Sequence, residues 1–218
     1  PSSGCGSAAS RVTAQKRRLR RWWTTHQVPL VLDALFAAAS DDADIRSKTI
    51  SRDKLESQVA AMEPCVSALD ALSASHQIKV IAEIKRASPS MGDLSEIPDA
   101  ADLAAVYQQS GAHAISVLTE RTGFKGSLRD LETVSAKVRT PTLRKDFISS
   151  EYQILEARVA GASFVLLILS WLREPDFIRL YRFANEIGLS VLVETHTEDE
   201  IRIATASGSQ MVGINTRD

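Results

Sequence analysis

The sequence predicts an α/β fold: a (β/α)8 TIM barrel, represented by six of its eight units and preceded by a helical extension. Two observations carry this. From residue 76 onward, short apolar runs alternate with segments of helical period, and polar or charged residues collect at the C-terminal ends of several of those runs. Alternation at about 20–35 residues per unit requires parallel strands joined by helical crossovers. A doubly wound open sheet would carry a glycine-rich fingerprint after its first strand, and none is present. A barrel instead places its chemistry at the C-terminal ends of several different strands, as seen here.

The first segment, residues 1–32, contains no Asp or Glu but carries Arg11, Lys16, Arg17, Arg18, Arg20 and Arg21 among Ser and Ala. Such a composition resembles an organellar transit segment, with a basic surface helix as the alternative. The expected location is the cytoplasm or the plastid stroma. Trp22 and Trp23 follow the arginines, but one basic run without a folded module does not make a nucleic-acid site. Residues 33–75 read as a helical extension. Val31, Leu32, Leu35 and Phe36 fall at i, i+1, i+4 and i+5 of an amphipathic helix spanning Pro29 to Ala39, and a further helix is expected over Lys54–Leu72.

The barrel segment, residues 76–218, has strands beginning near Ile78, His113, Pro141, Phe164, Ser190 and Met211. Leu128, Leu131 and Val134 mark one intervening helix; Phe177, Leu180, Ala184 and Ile187 mark another. Ser127 and Ser150 are placed as N-caps, Pro175 suits a first helical turn, and Thr197 with Glu200 reads as a capping box. Gly111, Gly161, Gly188 and Gly208 each precede a strand, where a helix must stop.

Bulk properties exclude several classes of function. The 218 residues are 44% hydrophobic and 24% charged, the balance of a soluble globular chain. A formal net charge of -1 gives no reason to invoke nucleic acid or a membrane surface. Cys5 and Cys65 lie far apart, and no histidines cluster, so neither a zinc site nor a disulfide framework is indicated. His26, His76 and His113 have no sequence partners and read as structural or exposed.

The candidate site follows from strand parity. Side chains at i and i+2 share one face of a strand. Glu83 and Lys85 therefore point together at the end of the first barrel strand, and the chain then breaks at Ser88-Pro89-Ser90. The third strand ends in Leu143-Arg144-Lys145-Asp146. The fifth ends in Glu194, on the face of Leu192, and the sixth aligns Gly213, Asn215 and Arg217. The fourth strand contributes apolar wall, Leu166 and Ile168. Charged strand ends converging over an apolar wall describe an enzyme site. Each has a plainer reading: Lys145 could pair with Asp146 at the surface, Glu194 could cap the next helix, and His196, just before a helix start, reads as a loop residue.

The ordered motifs EIKRASPS, SVLTERTGFKGS, PTLRKDF, LLIL, LVETH and VGINTRD resemble those of the indole-3-glycerol-phosphate synthase family of tryptophan biosynthesis. The resemblance covers roughly residues 78–218; the N-terminal 75 residues match only loosely, as the family's helical extension. It implies a lyase that closes, decarboxylates and dehydrates 1-(2-carboxyphenylamino)-1-deoxyribulose 5-phosphate, with no cofactor and no metal. It further implies that Lys145 is the general acid on the ketone oxygen, and that Lys85 holds the substrate carboxylate and shares acid duty. Glu194 and Glu83 would stabilise iminium charge and assist proton removal. Asn215 and Arg217 would orient substrate, Ser88 would contact substrate or phosphate, Phe124 and Phe147 would hold the anthranilate ring, and Leu166, Ile168 and Leu192 would form the floor. The implied partner is a phosphorylated small molecule, with fusion to, or association with, other tryptophan-pathway domains in view.

Only six strands are legible before Asp218. The expectation is that two units are lacking, including the loops after strands seven and eight that typically build the phosphate site in such barrels. That leaves three alternatives: part of a longer protein, a chain completed by another, or a catalytically silent barrel remnant that serves as a binding partner. Another phosphate-binding barrel enzyme of the same pathway is a further alternative, but it would leave LRKDF and SPS unexplained.

Overall fold

The structure is a computed structural model that describes residues 31–73 and 77–216. The segment 1–30, His76 and Arg217 lie outside the described residues. The expectations for a basic leader, for His26 and for Arg217 therefore fall outside them as well.

The element order is that of a barrel under construction. Helix α1 (residues 31–47), α2 (Arg52–Ala60) and α3 (Ala68–Leu72) precede the first strand, β1 (Ile81–Ile84). A two-residue antiparallel ladder, β2 (Ala87–Ser88) with β3 (Gly92–Asp93), interrupts the crossover to α4 (Ala100–Gln109). There follow β4 (Ala114–Leu118), α5 (Leu128–Lys137), β5 (Thr142–Lys145), α6 (Glu151–Val159) and β6 (Phe164–Ile168). The last elements are α7 (Glu174–Glu186), β7 (Ser190–Thr195), α8 (Glu198–Ala206) and β8 (Met211–Ile214). The six longer strands form one all-parallel sheet in the order β1-β4-β5-β6-β7-β8, curled into a partial (β/α)8 barrel. All six strands expected from the sequence are present.

Strand parity divides the apolar residues into two layers. Ala114, Leu143, Phe164, Leu166 and Ile168 point to the inside of the curl, where they pack with Phe36 and Phe147. Ile115, Val117, Val165, Leu167, Val191 and Val193 point outward, against Leu131 and Val134 of α5 and Phe177, Leu180 and Ala184 of α7. Burial on both faces explains why β6 reads as a continuous apolar run rather than an alternating one, and why β4 is buried throughout with Ser116 as its one polar residue.

The helix starts use the expected caps. The Ser127 hydroxyl accepts from the Asp130 N–H, and Ser150 forms a reciprocal capping box with Gln153. At α8 the box is displaced: Thr197 accepts from the Glu200 N–H, but the Glu200 carboxylate accepts from the His196 N–H rather than from that of Thr197. The four glycines expected to end helices all adopt positive φ. At Gly161 (φ 86) the constraint is double, because a Cβ there would also lie 2.4 Å from the Ser135 hydroxyl.

The helical extension differs from expectation in two respects. The helix expected to close at Ala39 continues to residue 47. The single helix expected over Lys54–Leu72 is two, broken after Ala60. Pro64 explains the break, because it lacks an N–H and biases Glu63 away from helical φ/ψ.

Candidate active site

The inward-facing side chains at the C-terminal ends of the strands line one cavity of about 650 Å³, a size suited to a small organic ligand. Glu83 and Lys85 enter from β1 and the residue after it, Lys145 from β5, Glu194 from β7 and Asn215 from just beyond β8. Ser88, Phe124, Phe147, Leu166 and Ile168 also line it. Leu192 belongs to the inner apolar layer but not to the cavity lining, because it sits two residues deeper in β7 than Glu194.

Glu83 organises the charges. Its Oε1 lies 2.6 Å from Lys85 Nζ and its Oε2 2.9 Å from Lys145 Nζ, so one carboxylate holds two ammonium groups. Burial pushes the Glu83 carboxyl up, but Lys145 and Lys85 outweigh it and hold the group below its ordinary value. A depressed carboxyl contributes stability above its unfolded value, about 4.3, and loses it as pH falls through the lower folded value. The difference in melting temperature between the parent and Glu83→Gln should therefore stay constant from pH 7 to about 5 and shrink only below about pH 4. A difference that already collapses near pH 5 would contradict the pairing.

Asp146 is not the partner of Lys145. It lies just after β5, 5% exposed, and its Oδ2 accepts from Arg144 at 2.9 Å and from the Thr119 hydroxyl at 2.6 Å. The reading of Lys145 and Asp146 as a surface pair is thus excluded, leaving the Lys145 side chain directed into the cavity. Glu194 is likewise free of a helix-capping role, because Thr197 and Glu200 serve α8. Its Oε1 instead accepts from Asn215 Nδ2 at 3.0 Å.

The aromatic wall rests on a carboxylate that sequence reasoning passed over. Glu120, 3% exposed, accepts from the backbone N–H groups of Thr122, Gly123 and Phe124 at 2.7–2.9 Å. Three N–H donors on one carboxylate fix the turn that presents Phe124. Gly126 closes the same turn so tightly that a Cβ there would lie 2.1 Å from the Leu118 carbonyl oxygen. The Phe124 and Phe147 rings lie 6.0 Å apart, and Phe147 meets Phe36 edge-on at 5.2 Å.

Three contributions were not assigned to the site from sequence. The first turn of α1 brings Val31, Leu32 and Leu35 over the mouth. Their helical periodicity was legible, but not what they cover. Trp171, after β6, stacks on Phe36 at 3.7 Å and donates its indole N–H to Asp33 at 2.9 Å, which pins α1 in place. His196, expected to be a plain loop residue, lines the cavity with Nε2 3.6 Å from Glu194 and Nδ1 3.7 Å from Glu200. These separations are beyond direct hydrogen bonding.

The family model for indole-3-glycerol phosphate synthase matches residues 32–218. An indole-3-glycerol phosphate synthase of Leifsonia xyli subsp. xyli is 50% identical over 191 residues, covering 88% of this chain and 73% of that protein. Those of Nocardioides sp. and Paenarthrobacter aurescens are 48% and 45% identical, over 86% of this chain and 72% and 71% of theirs. The motifs, the partial barrel and this shared identity lead to one assignment: the chain belongs to the indole-3-glycerol phosphate synthase family.

Proposed function

We propose that the protein converts 1-(2-carboxyphenylamino)-1-deoxyribulose 5-phosphate to indole-3-glycerol phosphate, carbon dioxide and water. The observation that carries this reading is Glu83 bridging two lysines, with Lys145 aimed into a cavity that has an aromatic wall. The reaction needs an acid where the ketone oxygen gains charge, a cation for the ring carboxylate, and a base for the final proton.

Lys145 gives its proton to the ketone oxygen as the ring carbon bearing the carboxylate attacks the ketone carbon. The new carbon–carbon bond leaves positive charge on the nitrogen, and the neighbouring carboxylates Glu83 and Glu194 stabilise it. Lys85 binds the carboxylate until it leaves as carbon dioxide, which returns the bonding electrons to the ring. The new hydroxyl then departs as water after protonation, with Lys85 and Lys145 sharing that duty. Glu194 takes the proton from the adjacent carbon, and the indole is complete. Asn215 holds Glu194 in place by its 3.0 Å hydrogen bond, and Arg217 supports substrate orientation. Phe124 and Phe147 hold the anthranilate ring, Leu166 and Ile168 form the floor with Leu192 packed beneath it, and Ser88 contacts the substrate or its phosphate. Positioning and acid–base groups suffice for such a sequence.

The same reading includes association with, or fusion to, other tryptophan-pathway domains and a cytoplasmic or plastid-stromal location; among the described residues, no helix is long and apolar enough to cross a membrane. Single-turnover kinetics test the activity, with the protein expressed from its complete reading frame and mixed with the carboxyphenylamino-deoxyribulose phosphate. Indole fluorescence should rise with stoichiometric release of carbon dioxide. Silence from the folded protein would leave a binding role for the cavity and defeat the catalytic one.

A further inference from the structure

The residues flanking Lys145 belong to a buried chain of charges that the reaction does not use. Arg144, 0% exposed, points away from the cavity, between β5 and α6. Its guanidinium donates to Asp146 at 2.9 Å, to the Gln153 carbonyl at 2.6 Å and to Glu156 at 3.4 Å. Glu156, on α6, accepts in turn from Arg46 of α1, at 2.5 Å through Nε and 2.8 Å through a terminal nitrogen. At the other end of the chain Asp146 accepts from the Thr119 hydroxyl and the Phe147 N–H, while the Thr119 N–H donates to the Lys145 carbonyl.

The chain therefore locks the backbone on both sides of Lys145 and ties it to α1. That helix is the one whose first turn covers the cavity and whose Phe36 packs on Phe147. It is thus attached to the end of β5 at two points: an apolar one near its start and an ionic one near its end. Buried ion pairs seldom add net stability over apolar replacements, because desolvation offsets the attraction. A fixed register between two elements is something such a pair does supply.

We propose that Glu156 is a positioning residue, which through Arg144 holds Lys145 in its productive direction and through Arg46 holds the α1 cover in register with it. The proposal rests on the reading of Lys145 as the general acid. A misplacement of about 1 Å at a reacting group can cost about 100-fold in rate.

The test uses the protein from its complete reading frame, with kcat and KM measured for the deoxyribulose phosphate in Glu156→Gln, Arg46→Met and Lys145→Ala. Glu156→Gln keeps shape and an acceptor oxygen but removes the charge. It should retain the near-UV circular dichroism of the parent and lose about 10- to 100-fold in kcat. Arg46→Met releases only the cover, so KM should rise up to about tenfold while kcat stays within about twofold. A folded Glu156→Gln protein with both constants within about twofold of the parent overturns the proposal. Should Glu156→Gln not fold, Arg46→Met decides, and an unchanged KM overturns it. Turnover surviving in Lys145→Ala removes the catalytic reading of the site, and the positioning role falls with it. An inactive Lys145→Ala beside an unaffected Glu156→Gln defeats the positioning role alone.

Discussion

Lys145→Ala should lower kcat by about 10³-fold or more while leaving KM within a few-fold of the parent, since general acids typically contribute about 10²–10⁴. Lys145 is the ammonium at the end of β5 that faces the cavity, 2.9 Å from Glu83, and no other cationic side chain enters from that strand. Substrate binding survives because Lys85 keeps its own contact with Glu83 and remains available to the carboxylate. Two companion variants separate charge from proton transfer. Lys145→Arg keeps the positive charge but holds its proton too tightly to give it up, so KM should match the parent while turnover stays as low as in Lys145→Ala. Lys85→Ala should act mainly on KM. The measurement is indole fluorescence in single turnover, where a Lys145→Ala rate above about a tenth of the parent would exclude proton donation by this residue.

The second large effect is on stability. Arg144→Met should destabilise the protein by about 3–5 kcal/mol, the usual cost of removing one partner from a buried charge pair. The side chain volume is largely preserved, so the loss comes from the carboxylates left behind. Asp146, 5% exposed, would lose its guanidinium partner in a dry environment, and Glu156, 7% exposed, would be left with Arg46 alone. Urea titration should show a midpoint lowered by about 1–3 M with little change in slope. Arg173→Ala provides the contrast. Its pair with Asp176 involves a side chain 84% exposed, and such pairs contribute no more than about 1 kcal/mol. If the two variants lost similar stability, the buried chain would not carry the weight assigned to it.

Both predictions start from strand parity, which is legible in the sequence alone. Glu83, Lys85, Lys145, Glu194 and Asn215 all occupy inward positions at strand ends, and the structure brings all five to one cavity. The local signals that specify helix ends are equally direct: Ser127, Ser150 and four glycines act where the sequence places them. The break at Pro64 is a local signal too, but the helical period on either side of it masks the proline's effect.

Contacts between elements distant in sequence are another matter. Arg46 and Glu156 are separated by 110 positions, and nothing in either neighbourhood announces the pair. The LRKDF motif places a lysine next to an aspartate, and only the folded chain shows that the lysine pairs with Glu83 while the aspartate pairs with Arg144 and Thr119. His196 follows Glu194 by two positions, yet its entry into the cavity depends on how the chain turns into α8. The apolar stripe of α1 declares that the helix packs against something; that it roofs the site, pinned by Trp171, is not in the stripe.

The division has a physical reason. Periodicity, capping and side-chain parity are set by backbone geometry over a few residues, so the sequence by itself determined the alternating elements, the partial barrel and the inward ring of charged strand ends. Partner choice among buried charges and the covering of the mouth depend on which surfaces meet after the sheet has curled. Those were decided only by the tertiary structure, because the desolvation and packing energies that select them exist only once distant segments exclude water from between them.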